Sequence, residues 1–238
     1  MPQVISSIPE TRDQVSDHTR ESGRSSPPEP IRWTCRQFHE ILEQGILVGR
    51  YELIDGEILS KIGQKRPHAL TIMLLMKALI ALFGVDYVQC QLPMPVRGRD
   101  GERNEPEPDA VVLSRPALEF REENPSAEDA LLVVEVADSS ISFDRNRKAA
   151  LYARAGVGDY WIIDLNDRQI LVHRQPSSEG YGEVTAFRSD ELLTALARPD
   201  APVRVADLLP PDEQSRIRVA LSQSRRDAKR RGSWTRPR

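Results

Sequence analysis

Leu131-Leu132-Val133-Val134-Glu135-Val136 is an apolar run broken by one carboxylate. A run of this kind reads as a strand buried on both faces in the middle of a parallel or mixed sheet. Burial of an ionised acid there is costly unless it meets a positive partner, shifts its pKa or binds a metal. Twenty-six residues earlier, Glu105-Pro106-Glu107-Pro108-Asp109 leads into a second such strand, Ala110-Val111-Val112-Leu113. The two segments restrict the chain to folds in which buried strands carry acids at their ends.

The flanking patterns place these strands among helices. Trp33 to Gln44 has the 3, 4 apolar spacing of a short helix, with Thr34 as N-cap and Gly45 as stop. Asp55-Gly56 lies between two β-prone runs, Tyr51–Ile54 and Glu57–Ile62, a strong hairpin signal. His68 to Phe83 predicts a helix pressed on a sheet, with Pro67 in its first turn, Gly84 as its stop, and Met73 and Met76 filling core gaps. Val85 to Val96 predicts a strand near a sheet edge because of Pro93 and Pro95. Arg145 to Ala155 predicts a helix capped by Asp144 or Ser142. Tyr160 to Asp164 predicts a buried strand, Arg168 to Arg174 its partner, and Glu183 to Phe187 a further strand of the meander. The order predicts one α/β or α+β layer domain, a central mixed sheet with helices on its faces.

Charge divides the chain. It carries 33 Lys and Arg against 36 Asp and Glu, a net charge of −3. Residues 216–238 hold nine basic residues against the single acid Asp227, so the body is distinctly acidic. That tail reads either as a sequence-blind phosphate contact or as a solvated end. Residues 1–30, rich in Ser, Pro and charge, predict a disordered leader without a signal-peptide core. The domain is therefore expected over 31–215. Cys35 and Cys90 form no metal spacing or disulfide framework, which suits a reducing cytoplasm. The longest apolar stretch, Ile72 to Phe83, is interrupted by Lys77 and predicts no membrane span.

If the strands holding Asp109 and Glu135 are antiparallel neighbours, the start of one and the end of the other share an edge of the sheet. Both acids then point into one cleft, and hard oxygen ligands of this kind suit Mg2+ or Mn2+. Asp144, Lys148 and Tyr152 follow at i, i+4, i+8 and form one helical stripe, from which Lys148 can lean toward the acids. The parts suit phosphodiester hydrolysis: a metal-activated water and an ammonium for developing charge. Taken singly, Asp109 reads equally as a residue closing a turn, and Glu135 as half of a structural ion pair with Lys148. His68 reads as a cap or surface residue, Tyr152 as packing, and Glu52 as a third acid only if it faces the cleft. The charged turn 97–104 and the polar excursion 114–129 are expected to border that cleft.

The series Tyr51–Glu57, His68, Glu107-Pro108-Asp109, Val134-Glu135-Val136 with Ser139, Asp144, Lys148, Tyr152 and Gly156–Asp164 resembles the Uma2 family, placed in the PD-(D/E)XK nuclease superfamily. The resemblance spans roughly 33–190. It implies a restriction-endonuclease-like core, a divalent metal and DNA as substrate, with Asp109 and Glu135 as the metal acids. The superfamily's lysine usually stands two residues after the second acid. That position is Ala137 here, and the resemblance implies that Lys148 on the following helix replaces it. Glu52, Glu57 and His68 match further family positions, and Glu52, His68 and Tyr152 are the auxiliary site candidates. The function expected is that of a Mg2+-dependent endonuclease, working as a homodimer if two strands are to be cut. The alternative is a nuclease-fold protein that binds nucleic acid or regulates without cutting.

Overall fold

The computed structural model describes residues 30–61, 65–121 and 123–211. The expected leader, except for its last residue, and the basic tail 216–238 lie outside the described residues. The described residues from Arg32 onward form one compact unit. Its elements are α1 (Cys35–Glu43), β1 (Tyr51–Ile54), β2 (Glu57–Ser60), α2 (Arg66–Phe83), β3 (Val88–Cys90), β4 (Ala110–Leu113) and β5 (Ala130–Ala137). They continue with α3 (Ile141–Phe143), a π-helical turn (Asp144–Lys148), α4 (Ala149–Arg154), β6 (Asp159–Asp164), β7 (Gln169–Ser177) and β8 (Gly180–Arg188). The last are β9 (Leu192–Leu193), β10 (Val203–Arg204) and α5 (Val205–Leu208).

The central sheet has the order β3-β4-β5-β6-β7-β8. Every neighbouring pair is antiparallel except β5 and β6, which run parallel because α3, the π-turn and α4 carry the chain back between them. This is the mixed sheet with helical faces that the sequence predicts. Strand alternation sorts the core into two layers. Val112, Leu132, Val134, Val136, Trp161 and Ile163 pack with Leu75 and Leu79 of α2 and with α5. Val111, Val133, Ala137, Tyr160 and Ile162 pack with Leu151 and Tyr152 of α4 and with Ile54 of β1. Glu135 falls between Val133 and Ala137 in this alternation, so its side chain belongs to the α4 face.

Local chemistry explains the ends. Thr34 caps α1 through a reciprocal capping box with Gln37. Asp55 and Gly56 both have positive φ, 50° and 75°, the turn that matches hairpin twist. The β1–β2 hairpin is a separate two-stranded sheet, tied to the central layer by the bridge between Leu53 and Glu105.

Several expectations are corrected. The strand predicted over 85–96 shrinks to β3, because Val85–Tyr87 make a 3-10 turn and the following prolines cannot donate to a ladder. Leu131 is exposed, at the irregularity where the β4–β5 register shifts between Val112 and Leu113. Met73 is 68% exposed and fills no core gap; α2 buries only Thr71, Leu75 and Leu79 along one stripe. By length and composition α2 could cross a bilayer, but that stripe packs on the sheet. The helix expected from Arg145 starts earlier, at Ile141, and passes through a π-turn.

The hairpin turn has no room for a side chain. A Cβ at Gly56 would lie 2.8 Å from the Arg32 Cβ and 3.1 Å from the Trp33 carbonyl oxygen. Gly56→Ala is expected to cost about 1–3 kcal/mol, from the positive φ and the displaced Arg32 segment, as a lower urea midpoint at unchanged m-value.

Candidate active site

Asp109 stands one residue before β4, where Pro106 and Pro108 hold the approach extended. The register pairs Ala110 with Val134, and one further step sets Asp109 opposite Glu135. The register is direct at this point, because the Asp109 Oδ2 accepts the Val136 amide at 2.9 Å. Both acids are 2% exposed and line one cavity of about 460 Å³ at the sheet edge.

Lys148 meets them from the helical side. Its Nζ lies 2.8 Å from the Glu135 Oε1 and 2.9 Å from the Glu52 Oε2. Glu52 is brought there by the hairpin, and its Oε2 also accepts the Glu107 amide at 3.1 Å. The Tyr152 hydroxyl donates to the Glu135 Oε1 at 2.9 Å. Asp144 is buried beside this group and accepts the Ser140 hydroxyl. The π-turn holds Asp144 and Lys148 on the buried side and leaves the Asp144 carbonyl to accept the Tyr160 hydroxyl at 3.2 Å. The stripe read from spacing is therefore present, and Glu52 joins it.

The remaining neighbours surround Asp109. The His68 Nε2, from the first turns of α2, lies 3.3 Å from the Asp109 Oδ2, so His68 is a cavity residue and not a surface cap. Gln91 donates to the Asp109 Oδ1 at 3.2 Å. The Lys61 Nζ lies 4.0 Å from the same oxygen and donates to the Glu107 carbonyl. Lys61 and Gln91 were missed in the sequence. Lys61 follows Leu59 by two residues on the hairpin, and that period was the available signal for a shared face. Arg147 also lines the cavity, but it is bound to the Ile54 carbonyl, Asp55 and Glu57, and so ties helix to hairpin.

Among the described residues, none of 97–104 or 114–129 lines this cavity, contrary to expectation. Several of them line a different one with Cys35 and His39, because the Leu53–Glu105 bridge carries that loop to the far side of the hairpin. Glu57 is likewise outside the acid pair, held by Arg32 and Arg147. Not every buried acid belongs to the site. Asp159 accepts from the Trp161 indole, Arg174 and the Leu196 amide, a fully satisfied structural role for which Trp161 is core.

Electrostatics assigns distinct states to these groups. Burial opposes ionisation of Asp109, but the His68 hydrogen bond, the Lys61 charge and the Val136 amide outweigh it and hold the carboxyl well below the usual range. Burial pushes the Glu135 carboxyl up to about 7, against the pull of Lys148 and Lys61. Burial also raises Asp144. For Lys148, burial disfavours the charge, but Glu135, Glu52 and Asp144 prevail and raise it above the ordinary lysine value. Lys148 is thus an ammonium at any working pH and cannot act as a base. Burial, helped by Glu135, keeps Tyr152 a neutral phenol that donates.

A divalent metal is tested by the donor set. In favour, Asp109 and Glu135 offer hard oxygens at one edge, and among the described residues the Glu135 Oε2 accepts no hydrogen bond. Against a closed protein cage, no three His, Cys, Asp or Glu among the described residues are grouped to hold an ion by themselves. The set therefore fits a hydrated ion such as Mg2+, which keeps several waters and takes one or two carboxylates.

The sequence matches the family described as "Uma2: Putative restriction endonuclease" over residues 37–204. Among solved structures, the fold is similar to that of "a putative nuclease belonging to DUF820 from Anabaena variabilis". The two share 18% identity and a TM-score of 0.57, covering 75% of this chain and 97% of that one. No curated protein matches the chain.

Replacing Lys148 tests the buried triad. Lys148→Met leaves Glu52 and Glu135 without their cation and is expected to cost about 3–5 kcal/mol at neutral pH. Without the amine, the Glu135 carboxyl, which burial already raises to about 7, is pushed up further, so the variant holds its proton over a range where the unmodified protein has released it. The deficit should therefore grow as pH rises through about 7 and shrink below it, in urea melts across pH.

Proposed function

This chain belongs to the Uma2 family, and on that premise we propose that it is a Mg2+- or Mn2+-dependent endonuclease that hydrolyses DNA phosphodiester bonds. The observation that carries the reading is the convergence of Asp109 and Glu135 on one cavity edge with Lys148 bound behind them. Asp109 and Glu135 are the residues that would hold the cation. Once bound, it supplies Lewis acidity toward a phosphoryl oxygen and a water of lowered pKa.

The protein's own groups have separate tasks in this scheme. Asp109 is ionised throughout the working range and needs no proton change to bind. Glu135 must lose its proton, and Lys148 and Tyr152 fix its Oε1 so that Oε2 is left toward the ligand. Lys148 also balances Glu52 and Glu135, which lets two acids stand side by side in a low-dielectric site. His68 orients Asp109 through Oδ2. We extend the reading to a cytoplasmic protein that works as a homodimer, since each site serves one strand of a duplex.

One observation favours a second reading. Lys148 already neutralises Glu135, and no three-ligand cluster is present among the described residues. A nuclease fold that binds or regulates without cutting would have this arrangement as a structural ion pair.

Cleavage of supercoiled plasmid with Mg2+ or Mn2+ separates the two. Glu135→Ala is expected to abolish cutting while the circular dichroism spectrum of the folded protein is retained. Cutting that survives this change reassigns the site, and binding without cutting by the unmodified protein selects the second reading. Because a proton and a cation compete for Glu135, Mn2+ affinity by calorimetry should rise as pH increases through about 7. A flat profile between pH 6 and 8 would remove Glu135 from the ligand set.

A further inference from the structure

Four cations line the cavity, and their bonding separates them. Lys148 has a side chain only 3% exposed and gives two of its three donors to Glu52 and Glu135, so its charge is already balanced by two buried acids. Arg147 is committed to the Ile54 carbonyl, Asp55 and Glu57. Lys65 points largely to solvent and pairs with Asp138 at 3.3 Å. Lys61 differs from all three. Its side chain is 15% exposed, and among the described residues it donates one hydrogen bond, to the Glu107 carbonyl. Its 4.0 Å approach to the Asp109 Oδ1 is an ion-pair distance, too long for a hydrogen bond. An ammonium has three donors, so among the described residues Lys61 keeps N–H groups without an acceptor beside the carboxylate that would carry the cation.

We propose that Lys61, and not Lys148, is the catalytic ammonium that contacts a non-bridging oxygen of the substrate phosphate. The proposal rests on the phosphodiester reading above and names its substrate-touching cation. Lys148 is then a positioning residue that acts through Glu135. In this division of labour, one lysine is buried to hold two acids together, and a second, from the hairpin, meets the phosphate. Charge logic supplies a signature that a structural role would lack. The Lys61 charge repels a cation approaching Asp109, so its removal should leave metal binding unchanged or tighter while it weakens the grip on phosphate.

The experiment compares the unmodified protein with Lys61→Gln and Lys61→Arg in three measurements. These are plasmid cleavage with Mn2+, Mn2+ affinity by calorimetry, and affinity for a short DNA duplex across a salt series with Ca2+ in place of Mn2+. For Lys61→Gln, the expected loss in cleavage is on the order of 100-fold. The slope of log affinity against log salt should fall by about 0.9, the signature of one lost phosphate contact. Mn2+ affinity should not fall, the thermal midpoint should hold, and Lys61→Arg should recover much of the binding slope. An unchanged slope in Lys61→Gln overturns the proposal. So does a loss of Mn2+ affinity that matches the loss of cleavage, since Lys61 would then act through Asp109. If the unmodified protein binds DNA without cutting it, the salt slope alone decides. If it neither binds nor cuts, the nuclease reading itself falls and this proposal falls with it.

Discussion

A single buried ammonium determines how this structure is organised around its acids. Lys148 bridges Glu52 from the hairpin and Glu135 from the middle of the sheet, both almost fully buried. An isolated carboxylate in that position would be neutralised or expelled, because the interior cannot replace the water it loses. The pair of contacts binds three separate parts of the chain: β1, β5 and the helix that crosses between β5 and β6. A buried ion pair of this kind is weak evidence for stability, since apolar residues of the same volume would do as well. Its effect here is to hold two carboxylates from separate segments together inside a layer that excludes water.

The second constraint is the ladder. Antiparallel β4 and β5 bring the beginning of one strand to the end of the other, and the register sets Asp109 against Glu135. A slip by one residue would send Glu135 to the α2 face, among Leu75, Leu79 and Trp161, with no cation in reach. The hydrogen bond from the Val136 amide to Asp109 opposes that slip. The acids have unequal environments. Asp109 collects donors from His68, Gln91 and Val136, whereas Glu135 is more deeply desolvated and has Lys148 and Tyr152 on one oxygen. Two chemically similar carboxylates thus end with opposite pKa shifts.

Much of the fold was legible because its signals are local. The Thr34 cap, the Asp55-Gly56 turn, the Gly84 stop and the buried strands all depend on residues within a few positions of one another. The misreadings arose where tertiary contacts overrode local pattern. Met73 is as apolar as Leu75, but one side of α2 touches the sheet and Met73 lies on the other. The loop 97–104 looked like a cleft border by charge alone, and the Leu53–Glu105 bridge carries it elsewhere. His68 stood between a cap or surface residue and an auxiliary site residue, because no local partner decides it; its partner, Asp109, is brought in by the docking of α2 on the sheet.

The amino-acid sequence by itself determined the buried strands, the acids at their ends and the lysine stripe, because periodicity and the cost of burying charge are properties of short segments. It also determined the family, through the ordered motifs shared along 37–204. Only the tertiary structure decided which cations face which acids. Lys61 is separated from Asp109 by 48 residues and Glu52 from Lys148 by 96, as their numbering shows, and no local period links groups so distant. Their meeting follows from the docking of the hairpin across the sheet edge, where the buried Leu53 and Ile54 and the Leu53–Glu105 bridge hold it.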